Sequence, residues 1–333
     1  AIGMYKVKDD VLADLRANPL TPSPTASGYV PSAAFLTSED IEEIKYKQNV
    51  ADNNFRFSGK LDFQLNNYVT LTVGGDFNIS NYYSFNYNRS LMNAEEGNSY
   101  FNENTYRGFV RFTQRFASNS GSADKTASVF QNAYYSIQAD YSKFYRTNKD
   151  KTLGEDPFAY GYVGKFETFR QPIYTFGQDS VSGLTGWLLA GYQDTLVTYQ
   201  AGTQQPLLSN YTTQYYDLVG DNPDGNYNSL FDILNGGGML NGILPTSTLT
   251  VYSMFLNTGY PIGGYGTVDN DQLRLSLNAS VDIVNVKKGD NGRHALEFGF
   301  EYEQRVDRRY SVFPLAGNGG VWGLARQLTN AHI

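Results

Sequence analysis

Six segments of this chain alternate apolar and polar side chains with a period of two, which restricts them to β-strands with one apolar face. Phe55, Phe57, Gly59, Leu61, Phe63 and Leu65 share one parity, against Arg56, Ser58, Lys60, Asp62 and Gln64. After the turn Asn66-Asn67-Tyr68 the pattern resumes with Val69, Leu71, Val73, Gly75, Phe77 and Ile79 against Thr70, Thr72, Asp76, Asn78 and Ser80. The two read as a hairpin. A second hairpin sets Tyr106, Gly108, Val110, Phe112, Gln114 and Phe116 beside Val129, Gln131, Ala133, Tyr135, Ile137, Ala139 and Tyr141, with Arg107, Arg111, Arg115 and Asp140 on the opposite parity. A third joins Leu273, Leu275, Leu277, Ala279, Val281 and Ile283 to His294, Leu296, Phe298, Phe300 and Tyr302 through the turn-rich Lys288-Gly289-Asp290-Asn291-Gly292. Its polar parity carries Arg274, Asp282, Glu297 and Glu301.

The six apolar sets hold 36 residues and no Asp, Glu, Lys or Arg, where the overall charged fraction of 18% would place about six. Every strand carries its charges on the other parity, facing water or a polar interior. A strand the length of 55–65 extends about 36 Å, and tilted by about 45° it covers about 25 Å, the apolar height of an outer-membrane barrel. The links between hairpins, residues 81–105 and 145–270, are far longer than the turns within them. Compact soluble domains rarely hold such loops, whereas outer-membrane barrels pair short periplasmic turns with long external loops.

The expected fold class is therefore all-β, an antiparallel transmembrane β-barrel with long extracellular loops, the alternative being a soluble β-sandwich. In that reading residues 1–54 form an external region with short helices over 9–16 and 38–48, the second capped by Thr37 or Ser38. Residues 55–144 are two wall hairpins, and 145–270 a long external loop with a strand over 160–167. Residues 271–305 are a third wall hairpin, and 306–333 an external loop ending in a helix-like segment. Arg56, Lys60, Asp62, Asp76, Arg107, Arg111, Arg115, Asp140, Arg274, Asp282, Glu297 and Glu301 are the candidates for lining a lumen. Six strands cannot close a barrel, since the smallest have about eight. The chain is thus expected to belong to a longer one, and its opening at Ala1 without a signal segment agrees.

Composition narrows the rest. The 333 residues contain no cysteine, which excludes disulfide scaffolds and cysteine-ligated zinc. A net charge of -7 with no basic run excludes a nucleic-acid footprint. No apolar run approaches the roughly 18 to 20 residues of a membrane helix; Trp187-Leu188-Leu189-Ala190-Gly191-Tyr192 is among the longest.

Nothing here assembles a catalytic centre, and no enzyme activity is expected. Glu301 and Glu303 lie about 7 Å apart on one strand face, in the range of paired carboxylates in inverting glycosidases, but each strand carries charge on that face. His294 has the apolar parity and His332 ends the chain. Arg107, Arg111 and Arg115 form a stripe that either guides an anionic cargo, holds an internal plug, or pairs with neighbours such as Asp140. The oxygen-rich segment from Asp221 to Asn228 suits calcium in composition but has Gly220 where a first ligand should stand, and reads otherwise as turns. No other cofactor is expected. Tyr211, Tyr215, Tyr216, Tyr227, Tyr252 and Tyr260 serve either ligand stacking or loop packing.

Several segments then carry a family resemblance. Ala1-Ile2-Gly3-Met4-Tyr5-Lys6-Val7-Lys8-Asp9-Asp10, Arg107-Gly108-Phe109-Val110-Arg111-Phe112-Thr113-Gln114-Arg115-Phe116, Gln131-Asn132-Ala133-Tyr134-Tyr135-Ser136-Ile137-Gln138-Ala139-Asp140-Tyr141 and Gly299-Phe300-Glu301-Tyr302-Glu303-Gln304-Arg305-Val306-Asp307-Arg308-Arg309-Tyr310 resemble the barrel of Oar-like TonB-dependent receptors of Bacteroidota. Trp322-Gly323-Leu324-Ala325-Arg326-Gln327-Leu328 fits the same order. The resemblance implies a 22-stranded barrel in the outer membrane of a Gram-negative bacterium, with an internal plug. The implied partners are outer-membrane lipid, a TonB-type complex that pulls on the plug through an N-terminal segment outside these residues, and a surface lipoprotein. Alternatives are a non-transporting structural, adhesive or secretion-linked outer-membrane protein, and a soluble glycan-binding β-domain.

Overall fold

The computed structural model describes residues 4–24, 29–87, 91, 98–116, 130–220, 238–243, 261–284, 293–316 and 320–330. It is mostly β-strand. Met4–Val7 (β1) leads into helix α1 (Asp9–Ala17), two short strands Leu20–Pro22 (β2) and Tyr29–Pro31 (β3), and Ile41–Ile44 (β4). The long strands follow: Asn53–Asn66 (β5), Val69–Ser84 (β6), Ser99–Arg115 (β7) and Phe130–Lys149 (β8). A separate hairpin, Gly164–Gln178 (β9) and Thr185–Ala201 (β10), precedes helix α2 (Pro206–Gly220). Tyr265–Val284 (β11), Arg293–Val312 (β12) and helix α3 (Val321–Asn330) complete the order.

The six long strands form one antiparallel sheet in the order β12-β11-β8-β7-β6-β5. All three expected hairpins are present in it, with Phe57 opposite Phe77, Phe112 opposite Ile137 and Leu277 opposite Phe300. The first turn is tighter than expected. Asn66 stays in β5, and its side-chain oxygen accepts from the N–H groups of Tyr68 and Val69 at 2.8 and 2.9 Å, a local bond that suits Asn to turns. The Val129 end of the second hairpin and the turn from Lys288 to Gly292 lie outside the described residues.

The strands run further than the alternation indicated. β7 begins at Ser99, β8 continues to Lys149, β11 begins at Tyr265 and β12 continues to Val312, so the ends of the expected loops 81–105, 145–270 and 306–333 are strand. These extensions carry polar residues on both faces, among them Asn102, Glu103 and Asn104. Their ladder is complete nonetheless, because backbone pairing does not need an apolar face.

The buried core lies almost wholly outside this sheet, in the segments at its long-connection end. One cluster joins Leu20, Val163, Leu208, Tyr211, Tyr215, Met239 and Leu240; a second joins Val7, Leu15 and Ala33; a third joins Ala159, Tyr160, Ile262 and Tyr265. The expected helix α1 is present, but the helix expected over 38–48 is not. A 3-10 turn, Ser38–Asp40, carries the Thr37 cap, whose hydroxyl accepts from Glu39 N–H while the Asp40 carboxylate accepts from Thr37 N–H. The chain then becomes strand β4 because β1 offers it a partner, and Lys6 pairs with Glu42 at 3.1 Å. The strand expected over 160–167 starts only at Gly164: Tyr160 is buried, and its hydroxyl donates to Gly154 O at 2.7 Å. The helix-like end is α3.

Candidate functional site

Register assigns every charged candidate to one face of the six-stranded sheet. One row across it reads Ser58, Asp76, Arg107, Ser142, Gln272, Arg305; the next reads Lys60, Gly74, Phe109, Asp140, Arg274, Glu303; a third reads Asp62, Thr72, Arg111, Gln138, Ser276, Glu301. Arg56 stands on the same face one row before them, and Arg115, Glu297 and Asp282 continue it toward the short turns. In these three rows the two residues that are not polar are Gly74 and Phe109. They are neighbours in register, and the ring of Phe109 lies where a Cβ on Gly74 would be, 2.7 Å from its nearest carbon.

Part of the charge is spent locally. Lys60 pairs with Asp62 at 2.9 Å, and Asp62 also accepts from the Thr72 hydroxyl at 2.6 Å. Arg274 pairs with Asp140 at 3.5 Å, and Arg305 with Glu303 at 3.4 Å. Asp282 is buried and accepts from Asn132 at 2.8 Å and Arg293 at 2.5 Å, pinning a bulge where Asn132 has φ 50°. Asn tolerates that left-handed conformation. The arginine stripe does not pair with Asp140 as its spacing allowed: Arg111 donates to Gln138 at 2.5 Å and lies 5.8 Å from the Phe109 ring. Arg56, Arg107 and Arg115 make no hydrogen bond or ion pair with any described residue. A cavity of about 740 Å³ opens around Arg56, Lys60, Asp76, Arg107, Phe109, Asp140 and Arg274.

The opposite face is apolar and uncovered. Leu61, Phe298 and Phe300 are more than 60% exposed, and Phe57, Val110, Ile137, Leu275 and Leu277 are exposed beside them. The upper edge of this band descends across the ladder. It is Phe55 on β5, Tyr106 on β7, Tyr141 on β8, Leu273 on β11 and Tyr302 on β12, six residues below Arg308, the residue that shares the row of Phe55. The lower edge moves the same way, reaching Ile283 on β11 opposite His294. Directly above the band the outer face turns ionic: the Tyr141 hydroxyl donates to Asp271 at 2.6 Å, Arg308 pairs with Asp271 at 2.5 Å, and Lys143 with Asp269 at 3.0 Å.

Of the remaining candidates, Tyr211 and Tyr215 are packing residues of α2, buried in the first core cluster, and Tyr216 stacks on Tyr199 at 5.0 Å. Burial raises the pKa of the Tyr211 hydroxyl above its usual range. Tyr227, Tyr252, Tyr260, His332 and the segment from Asp221 to Asn228 lie outside the described residues. Among the described residues no three metal-binding side chains gather. Sequence reading passed over Phe109 and Gly74, whose signal was the interruption of the polar parity on β6 and β7. No protein-family model matches the chain, and no curated protein matches it.

Proposed function

We infer that the six-stranded sheet is part of the wall of an outer-membrane β-barrel, and that the protein is a TonB-dependent receptor that takes up a ligand through a plugged lumen. The exposed apolar face supports this most directly. Left in water, each large side chain on it forgoes about 1.5–3 kcal/mol of burial, against a typical domain stability of about 5–15 kcal/mol. Lipid removes that deficit. The oblique band agrees: a slide of six residues, about 20 Å, across five inter-strand steps, about 24 Å, amounts to a tilt of about 40°. Membrane barrels tilt their strands by about 35–45°.

Bilayers tolerate no unpaired strand edge, so β5 and β12 require flanking strands. The resemblance to Oar-like receptors implies a barrel of 22 strands in all, together with a plug, an energising TonB-type complex and a surface lipoprotein as partners. The ionic outer surface above the band faces the long-connection side, which this reading makes extracellular.

Fractionation tests the wall. The full-length protein should remain with outer membranes through alkaline washing and change its gel mobility on heating; release without detergent would sink the reading. Retention on a matrix bearing the periplasmic domain of a TonB-type protein tests energised uptake, and passage straight through it would leave a non-transporting role. One observation favours that second, adhesive role: the β9–β10 tip exposes Phe176, Val181, Leu184 and Trp187.

A further inference from the structure

We propose that Arg56 and Arg107, with Phe109 as an apolar floor, form a seat for an oxyanion ligand, one carrying carboxylate or phosphate groups, on the polar face of the sheet. This names the ligand class for the face read above as a lumen wall, and so rests on that reading. The cavity there is lined by four cations, Arg56, Lys60, Arg107 and Arg274, against two carboxylates, Asp76 and Asp140. Lys60 and Arg274 are committed to Asp62 and Asp140. Arg56 and Arg107 are not committed to any described residue. A guanidinium presents five donors in a fixed fork that matches carboxylate and phosphate, and two such forks with no hydrogen-bond partner among the described residues leave the set at this cavity incomplete.

Their spacing sets the ligand. β5 and β7 are separated by β6, and Arg56 and Arg107 are one same-face row apart. Their backbones are therefore about 10–12 Å apart, a span that suits a ligand with more than one anionic group. Asp76, opposite Arg107 in register and likewise without a partner among the described residues, supplies an acceptor between them. The ligand thus both accepts from the arginines and donates to a carboxylate, as a hydroxycarboxylate or a sugar phosphate does. Gly74 leaves room for the Phe109 ring, and Arg111 lies 5.8 Å from that ring and is already bonded to Gln138.

Calorimetry on the full-length protein in detergent tests the seat with citrate and inorganic phosphate, and with glycerol as the uncharged control. Citrate should bind more tightly than phosphate, glycerol should not bind, and the affinity should fall as salt is added. Arg56→Gln and Arg107→Gln should each weaken citrate by about tenfold or more. Arg115→Gln, on the same face but off the cavity, should leave it unchanged, and Gly74→Ala should weaken it by displacing the ring. Binding of neither anion, or equal loss in Arg115→Gln, overturns the seat. Heat-dependent gel mobility of each variant reports on the barrel separately. A protein with an intact mobility shift and no anion binding loses the seat alone, whereas one that binds citrate while soluble without detergent keeps the seat and loses the barrel.

Discussion

Adjacent residues on one strand should respond oppositely to the same change. Leu275 lies between Ala139 and Tyr302 on the apolar face, and Ser276 between Gln138 and Glu301 on the polar one. With lipid against the first, Leu275→Arg should cost about 2–4 kcal/mol while Ser276→Arg costs much less; equal losses in a refolding titration of the full-length protein into vesicles would contradict the facing. A second residue-level expectation concerns protons in the connection. Asp179, at the β9–β10 turn, accepts from the N–H groups of Ser182 and Val181 at 2.6 and 2.8 Å. Those bonds, that of Ser182 foremost, hold its pKa below the ordinary 3.8. A depressed folded pKa contributes stability in full above the ordinary value and loses it as pH falls through the lowered one. Exchange protection at Val181 and Ser182 should therefore collapse only on acidification below that range, and Asp179→Asn should remove the pH dependence. Protection that declines equally in wild type and variant would show that the carboxylate does not hold the turn.

At the scale of elements, the sheet distinguishes glycines that share a row. Gly59, Gly75 and Gly108 are aligned across β5, β6 and β7. A Cβ on Gly75 would strike the backbone oxygen of Arg107, whereas one on Gly108 would meet nothing within 4 Å. Gly75→Ala should destabilise the sheet by about 1–3 kcal/mol, the usual cost of overpacking, and Gly108→Ala should be close to neutral, as read from urea midpoints of the protein refolded into lipid. Similar midpoints for the two would show that the sheet relaxes around Gly75. The strands holding these glycines were legible because lipid-height alternation has a period no helix shares. Their polar extensions were not, since pairing there depends on neighbouring backbone rather than on side-chain pattern. The segment Ile41-Glu42-Glu43-Ile44 fits a helical spacing and is strand only because β1 lies beside it. Helix α2 had signals that went unread: Pro206 at its start and Leu208, Tyr211 and Tyr215 on one stripe. The lumen candidates were legible as a face. Which of them are already paired was not, because Asp140 meets Arg274 from a strand remote in sequence rather than the nearer arginine stripe.

For the whole molecule, the unequal connections and the unpaired edges carry two expectations. If the sheet is a barrel wall as proposed, with its short turns on the periplasmic side, protease added to intact cells should cut within residues 150–264; cleavage confined to residues 285–292 would invert the orientation. The second concerns the 333 residues expressed by themselves. Their sheet has an exposed apolar face and, among the described residues, two edges, β5 and β12, with no strand beyond them. Open edges pair with whatever strand they meet, and in a bilayer they cannot persist. The three buried clusters among the described residues belong to the N-terminal segment and the long connection, with Tyr265 at the start of β11, and stabilise only that end. Expressed alone in water, the segment should aggregate, or keep a folded cap while the sheet stays unpaired. Sedimentation and a thermal melt decide the matter. A monodisperse monomer with one cooperative transition would mean that the apolar face is covered from within, and a soluble β-domain would then replace the barrel wall.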